Sequence, residues 1–183
     1  MWKYIILITI WIGFVFHWIL GSIPNHRLFE VFAGLCIGLY LTILDFGIFG
    51  WFATENNHWF LEALSVLGNV LTVIAFALVL MSLLTLARRG KPKNRIERTT
   101  VFIDLGIFRF VRPPLYLGGA IWSIALILQT KLPISAVWGV MAFFCFLCAS
   151  VKEDDFNKNK FGESYKRYMA AVPMWNLFKK LLK

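Results

Sequence analysis

The sequence predicts an all-α integral membrane protein: about five transmembrane helices, a C-terminal helical hairpin among them, and a cytosolic amphipathic tail helix. Three observations carry that expectation. Of 183 residues, 59% are hydrophobic, 17% aromatic and only 16% charged, too little charge to coat a water-facing surface. The apolar residues, at a mean hydropathy of +0.69, are gathered into long runs separated by short polar stretches. The basic residues concentrate in two of those stretches, as the positive-inside rule requires. A net charge of +9 would suggest nucleic acid in a soluble chain. In this one it reads as orientation and contact with the headgroups of a lipid bilayer, with no nucleic-acid partner.

Tyr4–Ile23 offers twenty residues free of Asp, Glu, Lys and Arg, enough to span the hydrocarbon core. It is too long, with too weak a basic flank and no small-residue cleavage site, for a signal peptide. Val31–Phe52 is the second expected span and carries one acid, Asp45; Ala63–Ala87 is the third and is uncharged. Leu115–Thr130 and Leu132–Val151 follow, separated by little more than TKLP, so tight a link that they form an antiparallel hairpin. The fourth span covers about 24 Å at helical rise, slightly short of the core. Asp45, an acid inside a span, is a functional candidate, with hydrogen-bonded packing as the alternative. His17 reads as a satisfied polar residue and Asn69 as helix–helix glue.

Arg88, Arg89, Lys91, Lys93, Arg95, Arg98, Arg109 and Arg112 all lie between the third and fourth spans, and the tail after Val151 carries eight more Lys or Arg. A hairpin puts both segments on one side, which is then cytoplasmic. Counting back, the TENNHW loop at 54–59 is outside, the N-terminus is out and the C-terminus is in. Cys36, Cys145 and Cys148 sit in apolar runs with no further metal ligand flanking them. They are expected to be packing residues, and neither a metal site nor a disulfide framework is implied. In the tail, Phe161, Tyr165, Tyr168 and Val172 recur at helical spacing, an aromatic stripe that must pack on something. The closing MWNLFKKLLK reads as a short helix in the headgroup region.

The stretch GIFRFVRPPLYLGG at 106–119 is the strongest punctuation in the chain. Proline belongs in the first turn of a helix, not its interior, and it forces Arg112 before it into an extended conformation. A loop therefore arrives at Pro113, and the fourth helix starts there, its N-terminal N–H groups near Leu115–Leu117 pointing back at Arg112 and Arg109. That combination favours an anion; a plain interfacial helix start with snorkelling arginines is the alternative. Gly118, Gly119 and Ser123 give the helix a small-residue face that admits another helix or a ligand. Lys152, Glu153, Asp154 and Asp155 lie where the fifth helix leaves the membrane, level with Arg112 in a hairpin. They form either a charge-balanced interface or the seat for the ammonium of a zwitterion whose carboxylate rests on the arginines.

These motifs together resemble the integral-membrane S-adenosylmethionine-dependent methyltransferases, which include isoprenylcysteine carboxyl methyltransferases and phospholipid N-methyltransferases. Their pattern is G-x-[FY]-[RK]-x-V-R-H-P-x-Y-x-G, then a paired acid about forty residues later, then F-G-x-x-Y-x-x-Y and V-P. Gly106, Phe108, Arg109, Val111, Arg112, Pro114, Tyr116 and Gly118 fall in register. Glu153-Asp154, Phe161-Gly162, Tyr165, Tyr168 and Val172-Pro173 supply the rest. The resemblance covers roughly residues 85–175. Pro113 stands where the family has histidine, and the acid pair is Glu-Asp rather than Glu-Glu.

The apolar runs give three N-terminal transmembrane helices (1–87), and the resemblance makes the rest (88–183) a half holding the cofactor loop, the hairpin and the cytosolic C-terminal helices. It implies a methyl transfer from S-adenosylmethionine to a lipophilic or membrane-delivered acceptor, whether an isoprenylcysteine-type carboxylate, an amine or a thiol. It makes Arg112 and Glu153 the catalytic candidates. Arg112 and Arg109 would face the cofactor's carboxylate, Glu153 and Asp154 its amino group, and Phe108, Tyr116 and Tyr165 would wall its adenosine. Gly106 belongs to the same loop, and Gly118 and Gly119 would give the cofactor room. The membrane is the bacterial inner membrane or the endoplasmic reticulum. Two other readings stay open: a sterol-reductase-type enzyme, and a non-catalytic relative that binds anionic lipid or a protein partner.

Overall fold

The computed structural model describes residues 8–9, 11–12, 27–46, 59–90, 102–130 and 133–175. Most of the first expected span, His17, the Asp45 side chain, most of the basic loop and the tail beyond Trp175 lie outside the described residues. Among the described residues five helices can be bounded: α1 (Leu28–Phe46), α2 (Trp59–Arg89), α3 (Pro114–Gln129), α4 (Pro133–Phe161) and α5 (Glu163–Ala171), with a 3-10 turn at Gly106–Arg109. No strand occurs among the described residues; an isolated parallel bridge joins Arg112 to Met174.

The helix boundaries follow local chemistry. Glu62 sits in the first turn of α2 and Arg88 and Arg89 in its last, each sign matching the helix dipole. Pro113 caps α3 with an extended backbone and Pro114 opens its first turn. Leu117 N–H already bonds Pro113 O at 3.3 Å, so only the N–H groups before it stay outside the helical ladder. α4 ends at Phe161 because Gly162 takes φ +60° and ψ −134°, a conformation open to glycine, and α5 starts in a new direction.

Among the described residues two helices are long and apolar enough to cross a membrane, Trp59–Arg89 and Ala136–Phe161; Leu28–Thr42 and Pro114–Gln129 are apolar but shorter. The outer surface of α2 is apolar too: Val66 is 62%, Val73 70% and Leu80 58% exposed, a face suited to hydrocarbon rather than water. The buried serines of the helices are satisfied within their own helix. Ser82, Ser123 and Ser150 are completely buried, and each hydroxyl donates to the carbonyl four residues earlier.

The helices pack side by side in the order α2, α3, α4, α1. The α2–α3 seam is made of small residues. An added Cβ at Gly68 would come within 2.9 Å of Ala125 O, and one at Gly118 within 2.9 Å of Ala75 O and 2.7 Å of Val79 Cγ2. Gln129 on α3 donates to Asn69 Oδ1 and Thr72 Oγ1, both at 2.9 Å, so Asn69 does join two helices. The hairpin of α3 and α4 closes as expected, but α4 does not stop at Val151. It continues to Phe161, which therefore ends α4 instead of opening the tail helix.

Gly118→Ala places a methyl against the α2 backbone and is expected to destabilise the fold by about 1–3 kcal/mol. Thermal unfolding of the detergent-purified protein checks this; an unchanged midpoint would mean that the two helices are not in close contact.

Candidate functional site

The segment 102–113 enters as a loop fixed at three points. Gly106 takes φ +62°, which a side chain would resist, and starts the 3-10 turn beside Thr85. Val111 is fully buried and clusters with Leu78 and Leu117, which locks the residue that follows. Tyr168 on α5 donates its phenol to Phe108 O at 2.6 Å and pins the turn from the other side.

Arg112 therefore arrives pre-aimed. It is 9% exposed, its Nε donates to Val172 O at 2.7 Å and its Nη1 to Asp154 Oδ2 at 2.6 Å. The second oxygen of Asp154 accepts from the Tyr165 phenol, again at 2.6 Å. Burial first, and then the Asp154 carboxylate, push the Tyr165 phenol far above the usual tyrosine range, so it stays a proton donor. One arginine, one carboxylate, one phenol and one carbonyl thus join the loop to α4, α5 and the strand-like segment after α5.

In front of this network lies a groove that is open at its mouth. Of the residues expected from the sequence, Phe108, Arg112, Tyr116, Glu153 and Tyr165 line it together. Glu153 Oε1 accepts from Asn157 Nδ2 at 3.1 Å, one helical turn on. Phe102 stacks edge-on against Tyr165 and Tyr168, with centroids at 5.6 and 5.1 Å, and tilts against Phe161 at 5.8 Å, which makes one end of the groove aromatic. The tail's aromatic stripe packs here: Tyr165, Tyr168 and Val172 bury against Phe102, Phe161 and Met169.

Other expected residues sit elsewhere. Arg109 ends the 3-10 turn and is exposed. Asp154 stands behind Arg112 and not in the groove wall. Gly118 and Gly119 face helices and not the groove, the latter with the Phe146 ring 2.6 Å from where its Cβ would be. Asp155 is exposed and pairs with Lys158 at 3.0 Å. The groove also takes in Asn157, Phe102, Phe161, Tyr168 and Arg27, which the sequence reading did not assign. Asn157 was findable as the i+4 neighbour of Glu153 on a continuing helix. Arg27 carries no local signal and reaches the site through the packing of α1 on α4. The Tyr116 phenol donates to Glu30 Oε2 at 3.1 Å, a second link to the start of α1.

A family model described as phospholipid methyltransferase matches residues 63–164, more than half of the chain, from α2 into the start of α5. No curated protein matches, and neither does any solved structure.

Breaking the buried pair is expected to weaken the fold sharply. Asp154→Ala leaves Arg112 charged and unpartnered at this point and should lower stability by about 3–5 kcal/mol. Tyr165→Phe removes one donor to the same carboxylate and should lower it by about 1–3 kcal/mol. Chemical or thermal unfolding of both variants ranks them; equal, negligible losses would mean that the network does not form.

Proposed function

The chain belongs to the phospholipid methyltransferase family, and from that premise we propose that the groove binds S-adenosylmethionine and serves methyl transfer to a lipophilic acceptor at a membrane. The observation that carries the reading is the meeting, in one groove, of a buried arginine, a glutamate and a group of aromatic rings from the loop, α3, α4 and α5.

The residues suit a zwitterionic sulfonium cofactor. A guanidinium has five N–H donors; two of those on Arg112 are taken by Val172 and Asp154, and the others remain for a carboxylate. Glu153 offers negative charge to an ammonium. Phe102, Phe108, Tyr116 and Tyr165 offer flat faces to an adenine, and such faces favour a cation such as a sulfonium. Arg109 and Asp154 act at one remove, Arg109 by adding positive charge beside the turn and Asp154 by orienting Arg112. The bound cofactor supplies an electrophilic methyl group, so the protein needs no covalent nucleophile.

What the chain must do is hold the acceptor atom in line and keep water out. The aromatic end of the groove serves the second task. A carboxylate or thiolate acceptor needs no base. An amine must first lose a proton, and Glu153 is the group placed to take it. The isoprenylcysteine-type carboxylate, amine and thiol acceptors are all compatible with these residues. The same reading puts five spans in the membrane, the N-terminus outside and the C-terminus in the cytoplasm, with residues 1–87 as the lipid-embedded half and 88–183 as the cofactor half. The polar cofactor then enters from the cytosol and the acceptor from the bilayer.

Calorimetric titration of the detergent-purified protein with S-adenosylhomocysteine is the test. Micromolar binding is expected, reduced at least tenfold in Arg112→Ala and in Glu153→Gln. A folded wild type that binds nothing would overturn the reading and favour a non-catalytic, lipid-binding relative, in which Pro113 at the family's histidine position marks a lost ligand.

A further inference from the structure

The run of chain that follows α5, from Val172 to Trp175, lies alongside the loop that carries Arg112. We propose that Trp175, outside the family-matched segment, is a positioning residue: its ring fastens the far end of this run and so keeps the Val172 carbonyl on Arg112, with the guanidinium turned to the groove. The inference rests on the cofactor reading above.

Three observations carry it. First, the run meets Arg112 twice. Val172 O accepts from its Nε at 2.7 Å, and Met174 joins it in the parallel bridge. Second, the run is tied down at both ends. Val172 closes α5: its N–H bonds Tyr168 O at 2.8 Å and its side chain is buried with Tyr165, Tyr168 and Phe102. Pro173 after it favours an extended Val172, seen at ψ 120°, so the Val172 carbonyl leaves the helical ladder. Trp175 is the other tie. Its ring packs with Val111, the neighbour of Arg112, and with Leu78 and Leu117, and it meets Phe143 of α4 edge-on at 5.9 Å.

Third, Trp175 takes φ +59°, a backbone conformation that a bulky residue adopts only where its surroundings impose it. The indole N–H is buried with no hydrogen-bond partner among the described residues, so the seat holds the ring through apolar contact. Sequence alone expects a headgroup helix from Met174 onward. Met174 instead bridges to the loop, and Trp175 turns its ring into the cluster.

Apolar burial that adds stability and nothing more is the competing account, and cofactor affinity separates the two. The readouts are thermal unfolding and S-adenosylhomocysteine titration of the full chain in detergent. Trp175→Ala is expected to stay folded, because α5 keeps its Tyr165–Asp154 and Tyr168–Phe108 hydrogen bonds. It binds about tenfold more weakly, as the loss of one charge-assisted bond to Arg112 implies. Trp175→Phe keeps a ring in the seat and binds within about threefold of wild type. Ile121→Ala thins the same cluster one turn beyond Leu117; it lowers the unfolding midpoint and leaves affinity within about threefold. In an Arg112→Ala background, Trp175→Ala costs less than about a further threefold, because the group it positions is gone.

Trp175→Gly accepts φ +59° freely and removes the ring, so it must show the same loss; it keeps the test sound if the alanine variant misfolds. Three results would each overturn the inference and leave the cofactor reading intact: ring-less variants that bind like wild type, an equal loss in Ile121→Ala, or the full loss persisting without Arg112. A folded wild type that binds no S-adenosylhomocysteine would overturn the cofactor reading and the inference with it.

Discussion

The pairing of Arg112 with Asp154 is the constraint on which the site depends. Both side chains are nearly buried, at 11% and 7% exposure, and a charge in that setting is tolerated only with a partner at good geometry. The pair is completed on both sides, by Val172 O on the arginine and Tyr165 O–H on the aspartate. Four chain segments are thereby drawn to one point: the loop before α3, the last turns of α4, the first turn of α5 and the residues after it. An ordinary surface salt bridge contributes too little to organise anything. This one sets the direction of the arginine that faces the groove.

The length of α4 matters for the same reason. By rise per residue a 29-residue helix is about 43 Å long, well beyond the roughly 30 Å of hydrocarbon. Its last turns therefore stand clear of the apolar region and carry Glu153, Asp154 and Asn157 on a rigid rod. Catalytic and binding geometry is held better on a helix than on a loop. Gly162 then redirects the chain, and α5 brings its tyrosines against the Phe102 ring and the 3-10 turn. α2, at 31 residues, overshoots in the same way and lends Leu86 to the groove.

Much of this was legible in the sequence, for identifiable reasons. The double proline announced the start of α3 because proline has so few permitted places. Arg112, Tyr116, Glu153 and Tyr165 stood out because two separated motifs kept their spacing, and the fold brings the four into one groove. The continuation of α4 past Val151 was not visible in hydropathy, which reports the solvent a residue prefers and not whether it is helical. Residues 152–160, polar but for Phe156, remain helical, aided by the Lys158–Asp155 and Asn157–Glu153 contacts, each within one turn. Gly118 and Gly119 announced a close approach but not of what, and the seam with Gly68 and Ala75 appears only once α2 and α3 are laid together. Glu30 and Arg27 had no signal at all, since nothing local tells a helix start which distant phenol it will meet. Among the described residues, Trp59–Arg89 and Ala136–Phe161 have the length and apolarity to cross a bilayer by themselves.

Arg112 precedes Asp154 by 42 residues and Val172 by 60 in the chain. A ribosome therefore delivers the cation long before either of its partners exists. Until then the guanidinium has to stay solvated, and the groove can take its final form only once the chain has been made as far as Val172.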